Sequence, residues 1–198
     1  IVIVVVSGVA GMRAIIGLLF SFLVIFKFVL PQIILGSNAV TVALLASALI
    51  LAVSYYLTHG INQKSTIAIF GTLGALIVTG ILASLFANLS KLTGLGTEEA
   101  GFLLDKMPIE SFYNLLLAGI IIGSLGVLDD ITISQASIVE ELSKANRKWG
   151  MNELYKRAMR IGRDHISSVV NTLVLVYAGS SLPLLLLFIT SEATVLEL

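Results

Sequence analysis

Five long apolar stretches constrain the fold of this chain more than any other feature. A helix needs roughly 20 apolar residues to cross the ~30 Å hydrocarbon core of a bilayer. The stretches that meet this requirement lie at about 14–35, 39–57, 66–86, 112–139 and 166–189. The apolar run at 1–6 has no methionine and no basic segment before it, so we interpret it as the end of a further span. The expected fold is all-α: a polytopic transmembrane helix bundle with five full spans and one partial N-terminal span.

A closed β-barrel is the alternative architecture, because only helices and barrels satisfy every backbone group in lipid. Barrel strands alternate between apolar and polar residues over about ten positions. The stretches here are continuously apolar, which favours helices. We expect residues 1–198 to form a single transmembrane domain, and the abrupt apolar start indicates an interior piece of a longer chain.

The composition excludes several classes of protein. Charged residues make up 12% of the chain, against about 25% in soluble domains, so a water-soluble fold is excluded. The formal net charge is zero, which leaves no global basic field to attract nucleic acid. Cysteine is absent, and no zinc-protease helix, Gly-x-Ser-x-Gly elbow or phosphate loop occurs. We expect no enzymatic activity, no cofactor and no metal. The expected binding partner is the lipid bilayer, and a protein partner or a second copy is a further candidate.

The distribution of basic residues predicts the orientation, since cytoplasmic connections carry an excess of Lys and Arg. The connection at 140–163 holds Lys144, Arg147, Lys148, Lys156, Arg157, Arg160 and Arg163. If this connection is cytoplasmic, the turns that hold Lys64 and Arg13 are cytoplasmic too. The connection at 87–111 is then external, and it carries two lysines against four acidic residues.

A basic helix is expected within the cytoplasmic connection, beginning near Asn152. Apolar residues recur there at helical spacing, as at Leu154, Ala158 and Ile161. The basic residues would attract this helix to the anionic inner leaflet. Docking of a partner protein is the alternative.

The fourth stretch carries the polar residues that most strongly suggest a function. Its apolar part, 115–128, is only about 21 Å long as a helix, so the span must continue past Asp129 and Asp130. A carboxylate inside a membrane is by default a functional-site hypothesis. Small and polar residues spaced by three and four fall on one helical face: Gly119, Gly123, Gly126, Asp130, Ser134, Ser137 and Glu141. Asp129 lies about 100° away, so Asp130 is the predicted functional group.

The fifth stretch offers partners for this carboxylate. Ser168, Asn171 and the adjacent Thr172 lie at a depth comparable with that of Asp130. We predict that they complete an ion, proton or substrate site with Asp130, Asp129, Ser134 and Ser137. The glycines of the fourth stretch would form the packing surface for the fifth helix. Arg163 and Asp164 are interpreted as interfacial charges.

Two alternatives remain open for these residues. The fourth helix could end at Leu128, with Asp129 and Asp130 capping a separate helix in cytoplasmic water. The chain could also be a non-transporting structural or assembly subunit, in which the glycines and the polar residues serve helix packing. A water-accessible cavity that reaches Asp130 would favour transport.

Two long motifs resemble those of the YibE/F family of bacterial membrane proteins. They are GSLGVLDDITISQASIVEEL at 123–142, and GRDH at 162–165 followed by NTL at 171–173 and YAGSSLP at 177–183. Arg13, Pro31 and the turn at 59–62 also fall where that family has them. The resemblance covers essentially the whole chain and implies a multi-pass protein of the bacterial plasma membrane. In this family one Asp more often follows an uncharged residue, which again favours Asp130 over Asp129.

A fainter likeness, in layout alone, links the chain to the SecD/SecF export motors. Those proteins also combine an intramembrane Asp, a short basic cytoplasmic connection and a following helix rich in Thr and Leu. Together the two resemblances favour a transport or export component that uses a protonatable Asp.

Overall fold

The computed structural model describes residues 2–96, 98–105 and 107–190, without the side chains of 2–7, 98, 99 and 190. Within these ranges the chain is almost entirely helical and contains no strand. The elements are α1 (Val2–Val24), a π-helical segment (Ile25–Val29), α2 (Leu30–Ile34), α3 (Ala39–His59), α4 (Gln63–Leu89), α5 (Glu98–Leu103), α6 (Ile109–Ala145), α7 (Met151–Ser180) and α8 (Leu182–Thr190). The predicted all-α class is confirmed.

The membrane-spanning segments match the five apolar stretches of the sequence. In the described part of the chain, four of them are long and apolar enough to cross a bilayer: Gly8–Ile34, Ala39–His59, Gln63–Leu89 and Ile109–Ala145. A fifth arises when Met151–Ser180 and Leu182–Ile189, which are bent by 67° relative to each other, are counted as one broken span. The residues before Gly8 are helical as well, and Gly8 (φ 54°, ψ −128°) interrupts the helix there. The multi-pass helical bundle expected from the sequence is therefore confirmed.

One asparagine organises the tight turn between α3 and α4. Gly60 ends α3 with a positive φ of 78°, a conformation that residues with a Cβ rarely adopt. The Asn62 side chain then donates to the His59 carbonyl (2.8 Å) and accepts from the Ser65 amide (2.8 Å). Asn62 thus satisfies a carbonyl at the end of α3 and an amide at the start of α4, neither of which has a partner within its own helix. The turn holds α3 and α4 antiparallel.

The π-helical segment between α1 and α2 matches the pattern of burial around it. The Leu30 amide donates to the Ile25 carbonyl, five residues earlier, which is the π-helical hydrogen bond. Val24, Val29 and Ile33 are all buried in the core. The first two are five residues apart, and the wider turn is what brings them to the same side of the helix.

The chain forms two compact units, Ile1–Glu140 and Glu141–Leu198. The core of the first consists of apolar residues from α1, the π-helical segment, α2, α3, α4 and α6. Within it, α4 and α6 run antiparallel: Lys64 Nζ lies 3.4 Å from Glu140 Oε2 at one end. Further along, Ile121 packs against Gly80, where an added Cβ would lie 3.5 Å from Ile121 Cδ1.

The structure excludes one alternative for a helix end and corrects one expectation. Helix α6 continues without a break from Ile109 to Ala145, so the hypothesis that it ends at Leu128 is wrong. Helix α7 begins at Met151 after Gly150 and runs to Ser180, so Asn152 does not start it and the basic helix is continuous with the fifth span. A change from apolar to polar residues indicates that the side chains meet a different environment. The backbone hydrogen bonds of the helix can nevertheless continue through the polar residues.

Candidate functional site

Hydroxyl groups from three helices meet inside the first unit. Tyr55 of α3 and Thr72 of α4 are buried, with 2% and 0% of their surface exposed. The Tyr55 hydroxyl lies 3.0 Å from Thr132 Oγ1 of α6 and 3.4 Å from Thr72 Oγ1. The two threonine oxygens are also hydrogen-bonded to each other. We call these three side chains the hydroxyl cluster; it links α3, α4 and α6 by hydrogen bonds.

Each hydroxyl of this cluster has an acceptor within hydrogen-bond distance. The Tyr55 hydroxyl donates to the main-chain carbonyl of Asp129 (2.9 Å). Because the threonine oxygens contact each other, one of them must donate to the other. The remaining threonine can donate to its own helix, since Thr72 lies 2.9 Å from the Ala68 carbonyl and Thr132 lies 2.8 Å from the Leu128 carbonyl. The cluster therefore donates to main-chain carbonyls of α4 and α6 as well as between its own members.

The two adjacent carboxylates of α6 have different surroundings. Asp129 is half-buried, and its Oδ1 atom is buried without a hydrogen-bond partner among the described residues. Asp130 is exposed. Neighbouring helical positions are separated by about 100°, so Asp129 faces the interior of the unit and Asp130 faces outward. The sequence-based choice of Asp130 as the functional group stays a prediction, and the structure adds Asp129 as the inward-facing carboxylate.

The hydroxyl cluster lies well away from the charged end of the unit. Thr72 follows Lys64 by eight residues, and Thr132 precedes Glu140 by eight residues. At 1.5 Å per residue, both threonines lie about 12 Å along their helices from the Lys64–Glu140 ion pair. Asp129 is one turn further, about 16 Å from Glu140.

The glycines predicted to pack against another helix lie on an open face of α6. Gly119, Gly123 and Gly126 are exposed, and a Cβ added at any of them would meet no described atom within 4 Å. We call them the glycine stripe. Ser134 and Ser137, which continue this face, are half-buried, and Ser137 donates to the Ile133 carbonyl (2.9 Å) of its own helix. The stripe therefore adjoins open space in the described part of the chain.

The predicted partners in the fifth stretch belong to the second unit. Ser168, Asn171 and Thr172 are exposed, and Thr172 donates to the Ser168 carbonyl (3.0 Å). Arg163 and Asp164 are exposed as well, as interfacial charges would be. A contact between these residues and Asp130 stays a prediction.

The hydroxyl cluster was not predicted from the sequence. Thr132 continues the row of α6 residues that begins with Ile121 and Leu125, both buried in the core. A threonine at such a position is a usable signal, because its hydroxyl needs a partner. Tyr55 and Thr132 are 77 residues apart, however, and nothing in the sequence alone pairs them.

Other buried polar atoms without hydrogen-bond partners in the described part of the chain are Ser47 Oγ, Ser65 Oγ and His165 Nε2. They belong to α3, α4 and α7, respectively. No group of three or more His, Cys, Asp or Glu side chains that could hold a metal ion occurs among the residues described.

The spans and their polar interior define a multi-pass α-helical membrane protein. The family model described as YibE/F-like protein matches residues 1–198, the whole chain, and the chain belongs to this family. No curated protein and no solved structure matched in the corresponding searches. The family resemblance drawn from the two motifs is thus confirmed.

Proposed function

We propose that this chain is a transport or export component that binds a proton on a carboxylate of α6 inside the membrane. The observation that supports this most directly is Asp129 Oδ1, which is buried beside the hydroxyl cluster and has no donor among the described residues. A buried, unpaired carboxylate oxygen costs several kcal/mol if it stays ionised. Binding a proton removes that cost, so the free energy of the site depends on protonation.

The position of Asp129 along α6 supports an intramembrane location. If the Lys64–Glu140 ion pair lies at the membrane surface, Asp129 lies about 16 Å deeper. That is about half of a ~30 Å hydrocarbon core. A carboxylate at this depth is typical of proton pathways in transporters.

The surroundings of the carboxylates suggest how protonation could be coupled to movement. The Tyr55 hydroxyl holds the Asp129 carbonyl, so the backbone at the carboxylate is tied to α3 and, through Thr72, to α4. Asp130, on the open face with Ser134 and Ser137, is the second carboxylate of the proposal. Ser168, Asn171 and Thr172 would complete its polar surroundings. A proton that moves between the two carboxylates would then change the charge on two faces of α6 that lie about 100° apart.

A non-transporting assembly subunit is the second candidate function. The glycine stripe favours it, because exposed small residues on a membrane helix permit close approach of another helix. In that case Asp129 and Asp130 would contribute to helix association alone.

A strain that lacks this protein tests the proposal. It is screened for altered uptake or efflux of ions and metabolites, and then complemented with the wild type, Asp129→Asn or Asp130→Asn. Asp105→Asn, in the connection between α5 and α6, serves as the matched control. We expect the wild type and the control to restore transport, and both α6 variants to fail although they reach the membrane in normal amounts.

Full complementation by Asp129→Asn would contradict the role of this carboxylate. Transport that is unchanged in the deletion strain would favour the assembly subunit.

The proposed location is the bacterial plasma membrane, with the connection at 140–163 cytoplasmic and the one at 87–111 external. Because cysteine is absent, single cysteines can test this without background. We expect cysteines at Lys64 and Lys148 to react with an impermeant reagent from the cytoplasmic side, and one at Glu99 from outside. Reaction of positions 99 and 148 from the same side would refute the orientation.

A further inference from the structure

The first half of α7 has an exposed basic face. Ala158 and Gly162 are buried, and Lys156, Arg160 and Arg163 lie on a different side of the helix, spaced by four and three residues. All three are exposed. We call these three residues the basic face.

The charges of the basic face have no ion-pair partner in the described part of the chain. No carboxylate of the described chain lies within ion-pair distance of Lys156, Arg160 or Arg163, and the neighbouring Asp164 is itself exposed without such a pair. Arg157 provides the contrast. Its Nε lies 2.6 Å from Glu153 Oε1 and its guanidinium lies 4.4 Å from the Trp149 ring centre. The basic face is therefore available to an anion from outside the chain.

Exposed apolar side chains lie beside these charges. Tyr155 is 64% exposed and lies about 100° around the helix from Lys156. Ile166 and Val170 follow on the Tyr155 side, and both are exposed. Beyond Asp164 the helix becomes apolar, and the sequence predicts that the fifth span begins at about residue 166. Cationic and apolar groups thus adjoin each other at the point where the span begins.

We infer that the basic face of α7 binds the headgroups of anionic phospholipids, with Tyr155 at the level of the headgroups beside Lys156 and Ile166 in the apolar region just below them. A guanidinium donates paired hydrogen bonds to phosphate oxygens, which suits Arg160 and Arg163. Tyrosine is favoured at membrane interfaces because its ring is apolar and its hydroxyl polar. This inference is independent of whether the protein transports a substrate.

The positions of the three charges distinguish a lipid surface from a protein partner. Arg163 lies next to the apolar part of α7, Arg160 about 4.5 Å further along the axis and Lys156 about 10 Å further. Attraction to an anionic surface decays over a Debye length, about 10 Å at 0.1 M salt. The contributions should therefore decrease in the order Arg163, Arg160, Lys156. A protein partner imposes no such order.

The test uses a fluorophore on Tyr155→Cys in the full chain, reconstituted in mixed bilayers. Quenching by spin-labelled phosphatidylglycerol is compared with quenching by phosphatidylcholine that carries the same label. We expect the anionic lipid to be preferred, and Arg160→Gln with Arg163→Gln to weaken that preference roughly 25-fold, about fivefold per charge. The matched control, Arg147→Gln with Lys148→Gln, removes equal charge outside α7 and should change the preference less than about twofold. Arg160→Lys with Arg163→Lys keeps the charges and should retain most of the preference.

Four outcomes would overturn the inference. One is equal quenching by the two lipids in the parent protein. Another is an equal loss in the α7 double variant and the control, which would indicate diffuse attraction instead of a site. The third is quenching by aqueous iodide but by neither lipid, which would show that the face lies in water and is open to a soluble partner. Inorganic phosphate at millimolar concentration should leave the preference unchanged, and competition by it would indicate a site for free phosphate.

Discussion

Each of two faces of α6 carries an aspartate, but one face is packed against other helices and the other is open. On the inward face, Thr132 and the Asp129 backbone are tied to Tyr55 by hydrogen bonds. On the outward face, Asp130 and the glycine stripe are open. The inward face makes its hydrogen bonds with helices of the same unit, and the outward face has open space in which another helix, water or an ion could lie.

This difference shows what a polar residue in a membrane helix can contribute. A hydroxyl or carbonyl that is satisfied inside the unit fixes the packing of helices. A carboxylate on an open face keeps its hydrogen-bonding capacity for water, an ion or another helix. Neighbouring residues can have these two roles because each step along a helix turns by about 100°.

The largest expected effect comes from removing Tyr55, the side chain to which the inward face of α6 is hydrogen-bonded. Tyr55→Ala deletes a buried ring and leaves the Thr132 and Asp129 groups without their partner. We expect a loss of about 3–5 kcal/mol in the free energy of unfolding, as for other buried aromatic residues. The matched variant Tyr177→Ala, at a position that is 67% exposed, should cost less than about 0.5 kcal/mol. Reversible unfolding in detergent measures both, and similar losses would mean that Tyr55 does not hold the bundle together.

A second test compares two glycines. An added Cβ at Gly80 would lie 3.2 Å from Val40 Cγ1, so Gly80→Leu overpacks the core and should cost about 1–3 kcal/mol or more. Gly123→Leu meets nothing within 4 Å. We still expect it to destabilise the protein, by less than Gly80→Leu, because the fifth span is predicted to fill the glycine stripe. Thermal unfolding in lipid nanodiscs measures the two losses. An unchanged stability of Gly123→Leu would indicate that the stripe faces lipid.

The smallest expected effect concerns one hydrogen bond of the hydroxyl cluster. Thr132→Val keeps the shape of the side chain and removes its hydroxyl, while Tyr55 can still donate to Asp129. Interhelical hydrogen bonds in membrane proteins contribute about 0.6 kcal/mol on average and up to about 1.7 kcal/mol, so we expect a loss in this range. Thr172→Val is the control, since the exposed Thr172 hydroxyl bonds only within its own helix. If both variants unfold alike, the cluster contributes no specific stability.

The spans were predictable from sequence because a run of about twenty apolar residues is long enough to cross a bilayer, and a helix satisfies all of its backbone groups there. The continuation of α6 past Asp129 was predictable too, because its apolar part alone is too short to cross a bilayer. The start of α7 at Met151 was not predicted, since polar residues such as Arg160 change the preferred surroundings and leave the helix intact. The inward role of Asp129 was also missed, because the sequence pattern orders residues around one helix and cannot say which neighbour lies on each side. Tyr55 and Thr72 carry no local signal that distinguishes them from ordinary packing residues.

The π-helical segment at Ile25–Val29 also has a consequence for how this chain can tolerate changes in length. In a regular helix, removing one residue turns everything beyond it by about 100° and moves buried side chains to the outside. Here Val24 and Val29 are five residues apart and both buried, so a one-residue deletion between them would restore ordinary four-residue spacing and keep both on the core side. The segment is thus a place where the first span can lose a residue, whereas the same deletion in α3 would rotate Tyr55 away from Thr132.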